Sequence, residues 1–438
     1  MKLFLAILLM ALPVGAQSTQ PAQPMREAVQ SFRLPNGLRV LLLENHQHPL
    51  IRLELRALWA PMEIQEIPAS LESKGKGAIP KLKDQTLIEP LVLSVLEQCS
   101  VGNRSRGAFN RAVEERGLTL RISGGPDGPV WNLAGGSPEA ESAFSLLADA
   151  ATRPIPEGGD LDALRLRLIN ELHVQGSQET ARINFLHVLE RPATALEPIT
   201  EKSLSQIYPE DLQRAIKTTL RPGRAVLAIS GDLNLSQAKQ LVQMNFGTWT
   251  EDDNTSAPTA PKPAVRTNTA TKALIRPPVI LPWDRSATSI ALPFYATDEG
   301  QRAAQDLLRL WLPRYLGPIR CQIHPGAAWW RSLIITSEAS EAALREELSE
   351  LKKSGLKSGD LAQAKALWIA GRRALALHPQ EQLSFAAKET LIGAEPSEQA
   401  IQEVDLATFN ATLRAWLNIE SARVLIFRGN QLPVPKTN

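Results

Sequence analysis

The sequence has 438 residues, 43% of them hydrophobic, and its 48 basic and 46 acidic residues leave a formal charge of +2. At roughly 100–200 residues per domain this length allows two to four domains, and the apolar content is ample for their cores. So balanced a charge, with no basic stripe interleaved with aromatics, excludes a polyelectrolyte partner such as nucleic acid.

The chain opens with Lys2, an apolar run from Leu3 to Leu12, and Pro13-Val14-Gly15-Ala16 before Gln17. This is the layout of a cleavable secretory signal over residues 1–16. The run is far shorter than the ~20 residues that cross a bilayer, and no later run approaches that length. The expectation is an exported chain, periplasmic or secreted, with a polar tether over residues 17–26 and no membrane span. Cys99 and Cys321 cannot form a disulfide framework. An oxidising compartment would permit one bridge, but nothing in the sequence brings them together, and two buried thiols are expected.

Pro35-Asn36-Gly37 separates Phe32-Arg33-Leu34 from the run Leu38 to Leu43 and predicts a hairpin. Next, Ile51, Leu53, Leu55, Ala57 and Trp59 alternate with Arg52, Glu54 and Arg56, a strand with one face on a core. A flexible insertion is expected between Pro61 and Gln85; its Gly75-Lys76-Gly77 lacks the glycine spacing and the following Ser or Thr of a phosphate loop. Ser137 before Pro138 starts a helix that buries Phe144 and Leu147. Asp160 opens another, with the stripe Leu161, Leu164, Leu168 and Leu172.

Glu251 to Pro261 is polar, rich in proline and without apolar periodicity, which marks a linker over 251–273. It divides a first domain at 27–250 from a second at 274–432, with a tail at 433–438. The halves end alike. Asp211-Leu212 opens a helix through Ile216 and Leu220, followed by the strand Ala225 to Ile229 and Gly231-Asp232. Asp405-Leu406 opens a helix through Phe409 and Leu413, followed by Ala422 to Phe427 and Gly429-Asn430. The repetition favours a duplicated unit. The predicted class is α+β: two homologous domains, each a mostly antiparallel sheet with helices on one face.

The Pro-Asn-Gly hairpin, the strand Arg56-Ala57-Leu58-Trp59, the segment Phe109 to Gly117 and Tyr208-Pro209-Glu210-Asp211-Leu212 together resemble the insulinase/pitrilysin metallopeptidase family. So do Gly355 to Leu361 and Ala364-Lys365 in the second half. The order of these motifs, from about Ser31 to Gly429, carries the resemblance. Active members bear His-x-x-Glu-His on an early helix, where two imidazoles bind zinc and the Glu activates its water. A later Glu completes the ligand set.

Counting back from Gly102, which resembles the glycine closing that helix, the three positions fall on Leu93, Leu96 and Glu97. Leucine has no lone pair for a metal and cannot act as a base. A test independent of register agrees: none of the six histidines (His46, His48, His173, His187, His324, His378) lies four from another. Neither the motif nor its reverse can be written in this chain. Glu171, in Asn170-Glu171-Leu172, resembles the third ligand, but one carboxylate does not hold zinc.

His46 and His48 would share one side of a continuing strand, and a hairpin edge is the simpler reading. Ser105 lacks the Gly-x-Ser-x-Gly setting of a nucleophile. Non-zinc members of the family lend an Arg and a Tyr from the second repeat to a partner's active site. Arg320 matches the Arg, and the Tyr position falls on Trp329, with Trp330 an alternative register.

The resemblance therefore implies a non-catalytic subunit without a cofactor of its own. A zinc-bearing homologous partner would supply the metal, and the two chains would enclose a peptide substrate. The alternatives are a peptide-binding scaffold with no proteolytic partner and, third, an active peptidase with an unorthodox centre.

Overall fold

The computed structural model describes residues 29–58, 85–125, 128–173, 205, 207–250, 279–283, 287–296, 298–317, 321–324, 330–393 and 396–429. The expected signal, tether, insertion, linker and tail lie outside the described residues, apart from Gln85 at the insertion's end.

The chain begins with β1 (Gln30–Arg33) and β2 (Arg39–Glu44), a hairpin in which Phe32 faces Val40 and Arg33 faces Arg39. Its turn works because Gly37 takes φ 94°, a left-handed conformation cheap only for glycine, while Asn36 accepts from the Leu38 N–H. Then follow β3 (Leu50–Ala57), α1 (Gln85–Gln98), β4 (Ser100–Val101), α2 (Arg106–Glu114), β5 (Thr119–Gly125) and β6 (Gly128–Gly136). The first half continues with α3 (Ala140–Thr152), β7 (Pro154–Ile155), α4 (Gly158–His173), α5 (Pro209–Thr219), β8 (Ala225–Gly231) and α6 (Leu235–Phe246).

The second half contains β9 (Val279–Trp283), β10 (Ala287–Tyr295), α7 (Glu299–Leu316), β11 (Cys321–His324) and β12 (Trp330–Ser337). Four helices, α8 (Glu341–Ser354), α9 (Ser358–Ala376), α10 (Pro379–Ile392) and α11 (Glu398–Glu403), precede α12 (Leu406–Trp416) and β13 (Arg423–Gly429). Among the described residues no helix is long and apolar enough to cross a membrane.

The duplication is visible in the pairing. The first sheet has the order β1-β2-β8-β3-β6-β5 and the second β11-β12-β10-β13-β9. In the first, β2 runs parallel to β8, and β8-β3-β6-β5 continues antiparallel. In the second, β9 runs parallel to β13, and β13-β10-β12-β11 continues antiparallel. Apart from the added β1, the two sheets have one topology, and both are mostly antiparallel with helices packed on them. The α+β class and the repeat hold.

Helix starts differ in detail from the sequence reading. Asp405 is the cap expected, its carboxylate accepting from the Thr408 N–H at 2.7 Å. Asp211 instead lies inside α5, reaching back to the Tyr208 N–H at 3.0 Å, because Pro209 needs no donor partner in a first turn. Asp160 does the same for Glu157, so α4 begins at Gly158. Ser137 and Pro138 form a 3₁₀ turn before α3, which buries Phe144 and Leu147 as expected.

Strand periodicity decides the core. Ile51, Leu53, Leu55 and Ala57 of β3 join Trp131 and Leu133 of β6, Leu227 and Ile229 of β8, and the helices in one apolar cluster. A second cluster fills the other half, around Ile290, Leu292, Phe294, Phe409 and Trp416.

The opposite face of the first sheet is covered too, by a helix from the second half. Leu383 and Ala387 of α10 pack on Leu41, Leu43, Val226 and Ala228. Polar contacts run along the same seam. Arg52 donates to Gln380 at 3.1 Å, Ser384 donates to Glu54 at 2.9 Å, and Arg39 donates to the Thr390 carbonyl. Residues 380, 383, 384, 387 and 390 recur at helical spacing, so one stripe of α10 faces the sheet. On its other side Arg372 of α9 stacks over Phe385 and Trp368 and approaches Glu389 at 3.6 Å.

Candidate functional site

Helix α1 is the element on which the family resemblance would place zinc ligands. Leu96 is 1% exposed and belongs to the first core. Leu93 lies against β5, so closely that a Cβ on Gly124 would stand 2.7 Å from its Cδ2. Glu97, by contrast, is exposed. The two leucines point their side chains into packing, and neither offers a donor atom. These positions do not fit a zinc ion.

Two arginines brace the same helix. Arg167 of α4 donates to the Ser94 hydroxyl at 3.1 Å. Arg106 donates to the Leu96 carbonyl at 3.4 Å and lies over the Phe109 ring, and burial lowers its pKa. Glu171 falls in the last turn of α4, and its side chain lies outside the described residues, as do Arg320 and Trp329. Trp330 opens β12. Burial pushes the Cys99 thiol up to about 11 and the Cys321 thiol to about 12; both are buried and unbridged. Neither is poised as a nucleophile.

Ser105 caps α2, accepting from the Ala108 N–H at 3.4 Å, which is a structural task. A polar chain missed by the sequence reading lies at one end of the first sheet. Ser137 donates to Asp232 Oδ2 at 2.9 Å, and Asp232 Oδ1 meets His46 Nδ1 at 2.8 Å. His46 Nε2 is 3.5 Å from Glu44, which also accepts from Gln30 and from the Leu235 N–H. The residue types are those of a serine hydrolase, but the acid stands between serine and imidazole, so the histidine cannot take the hydroxyl proton. Gly231-Asp232 was legible only as a turn, and its partner lies in the turn after β2.

The hydrogen bond that Asp232 accepts from the ring, then that accepted by Glu44, raises the His46 pKa; His46 lowers that of Asp232, helped by the Ser137 hydroxyl. A raised histidine stabilises the fold below its unfolded value of about 6.5, and that contribution fades as pH rises through the folded value. A lowered aspartate contributes above about 3.9 and is lost as pH falls through its folded value. The clasp should therefore be strongest from about pH 4 to 6.5. Titration of the His46 ring by NMR should give a midpoint above that of a free histidine, and Asp232→Asn should move it down. An unchanged midpoint in that variant would remove Asp232 as the cause.

Among the described residues no group of three or more His, Cys, Asp or Glu side chains is arranged to hold a metal ion. Comparison with known proteins identifies the scaffold. Residues 206–312 match the family model described as peptidase M16 inactive domain. A protease from Helicobacter pylori superposes with a TM-score of 0.67 at 12% identity, over 91% of this chain and 99% of that one. The peptidase M16 inactive domain from Pseudomonas fluorescens gives 0.62 at 16% identity, over 93% and 100%. The first half of the periplasmic protease PqqL from Escherichia coli gives 0.62 at 14%, over 92% of each chain. A comparison with curated protein sequences finds no match. Fold, repeated topology and the matched segment agree: the chain has the fold of M16 peptidases of the insulinase/pitrilysin type and matches the inactive-domain model over residues 206–312.

Proposed function

We propose that the chain is a non-catalytic subunit of an exported zinc metallopeptidase of the M16 type, helping to enclose and position peptide substrates for a zinc-bearing homologous partner. The observation that carries this reading is the use of α1 for packing. Where the family places ligands, Leu96 belongs to the core and Leu93 seats β5.

Beside α1 runs the outer edge of β5, which among the described residues pairs only with β6. Such an edge presents main-chain donors and acceptors to an extended peptide. The similarity to one half of a two-part periplasmic protease supports a role as half of an assembly. Arg320 is proposed to hold the substrate main chain in the shared chamber, with Trp329 beside it. A peptide-binding scaffold without a proteolytic partner would use the same edge and differs only in having no rate to support.

The test is enzymatic. Alone, the purified chain should retain no stoichiometric zinc after dialysis and cleave no peptide. Mixed with a zinc-bearing M16 homologue from the same source, it should form a stable complex and raise turnover. Arg320→Ala should then lower the complex's kcat/KM by about 10²–10³ with assembly intact, the usual cost of one preorganised donor. Chelator-sensitive hydrolysis by the chain alone, with about one zinc per chain, would overturn the reading. Turnover unaffected by Arg320→Ala would reduce the chain to a structural partner.

A further inference from the structure

We propose that the outer edge of β5 selects an extended peptide whose side chains alternate between apolar and acidic, with Arg121 reading the acidic position. The inference rests on the docking role proposed for this edge and adds what the docked strand must look like.

The two faces of β5 differ. Leu120 and Ile122 are partly buried against the core, and Gly124 on the same face is backed by Leu93. Thr119, Arg121 and Ser123 alternate with them and are exposed. Side chains of an added strand would alternate in the same way, one set meeting hydrocarbon and the other meeting the face of Arg121.

Among the described residues, charge on that face is uncompensated at the edge. Arg121 stands opposite Asn132 on β6, which stands opposite Glu54 on β3. Glu54 is engaged by Arg56 and Ser384, and Asn132 accepts from Arg52 at 3.4 Å. Arg121 makes no hydrogen bond or ion pair among the described residues. The row thus ends in a guanidinium with a second arginine, Arg52, two strands behind it. A directly opposed residue on a paired strand comes within ~5 Å at Cβ, where an opposite charge attracts and a like charge repels.

Binding of short capped peptides to the whole chain, followed by fluorescence anisotropy at physiological salt, tests this. The peptides alternate leucine with glutamate, glutamine or lysine, and a fourth repeats the glutamate sequence with alternate main-chain nitrogens methylated. Affinity should fall in the order glutamate, glutamine, lysine, with about three- to tenfold between the extremes. Arg121→Glu should reverse the order, and Arg121→Gln should flatten it. Equal affinity of the three, abolished by methylation, would overturn the charge selection while leaving edge docking in place. Binding that survives methylation, or no binding by any peptide, would overturn edge docking itself.

Discussion

Replacing Glu54 with alanine should destabilise the chain by about 3 kcal/mol and loosen α10 from the first sheet. Glu54 is 5% exposed, paired with Arg56 at 2.5 Å and hydrogen-bonded by Ser384. Breaking a buried pair by removing one partner costs about 3–5 kcal/mol, because the remaining charge is left without compensation. Arg56 retains some contact with water, which puts the expectation at the lower end. Ser384 also donates to Glu54 and accepts from Arg56 at 2.9 Å, so its alignment goes with the carboxylate. For a unit of this size the loss corresponds to a fall of roughly 6–12 °C in Tm. Hydrogen exchange should rise first in Pro379–Ile392, the helix held by this contact. Glu54→Gln, which keeps an acceptor and loses the charge, should cost less. A loss under about 1 kcal/mol for Glu54→Ala would mean that the apolar contacts of Leu383 and Ala387 alone dock the helix.

Trp416→Ala should be the most damaging truncation in the second half. The ring is fully buried, stacks on Phe294 at 5.9 Å, and donates from its indole nitrogen to the Leu292 carbonyl at 2.9 Å. Deleting a buried tryptophan side chain costs about 3–5 kcal/mol through lost transfer energy and the cavity left behind. The Leu292 carbonyl loses a partner besides, which adds about 1 kcal/mol or more. Trp416→Phe separates the terms: it retains most of the packing and removes the donor, so about 1–2 kcal/mol is expected. Denaturant midpoints of the two variants give the comparison. Equal losses would show that the hydrogen bond, not the volume, holds this site together.

How much of this was legible in advance depends on how far apart the interacting residues lie. The β1–β2 hairpin is local, written in Pro35-Asn36-Gly37, and its register follows from the turn. The alternation in β3 assigns Ile51, Leu53 and Leu55 to a core because period two is a property of the strand alone. It does not say what covers Arg52, Glu54 and Arg56, since Gln380 and Ser384 arrive from the other half of the chain. Helix α10 hid this role: it uses one stripe on the sheet and another on α9, so no single apolar face stands out. At the candidate site, the leucines at 93 and 96 could be read as chemically silent, but not that Leu93 would seat against Gly124 of an edge strand. Likewise His46 was visible as a titratable group, while its acid partner Asp232 was not, for nothing in either segment announces the other.

The place of β8 in the first sheet bears on the order in which the molecule can assemble. Val226 pairs with Arg39 on one side and Arg56 on the other, so the strand separating β2 from β3 comes from the far end of this half. During synthesis the β1–β2 hairpin and the β3–β6–β5 unit can each form early, but they cannot join until Ala225–Gly231 has emerged. Until then both carry an open inner edge flanked by apolar side chains, the arrangement most prone to pair with the wrong chain. Closing the sheet requires contacts of high sequence separation, which slows the step that removes the hazard. A chain ending before β8 would keep both edges open permanently. Once β8 has been inserted, the gap between β2 and β3 is filled, and α10 can settle on the completed face through Leu383 and Ala387.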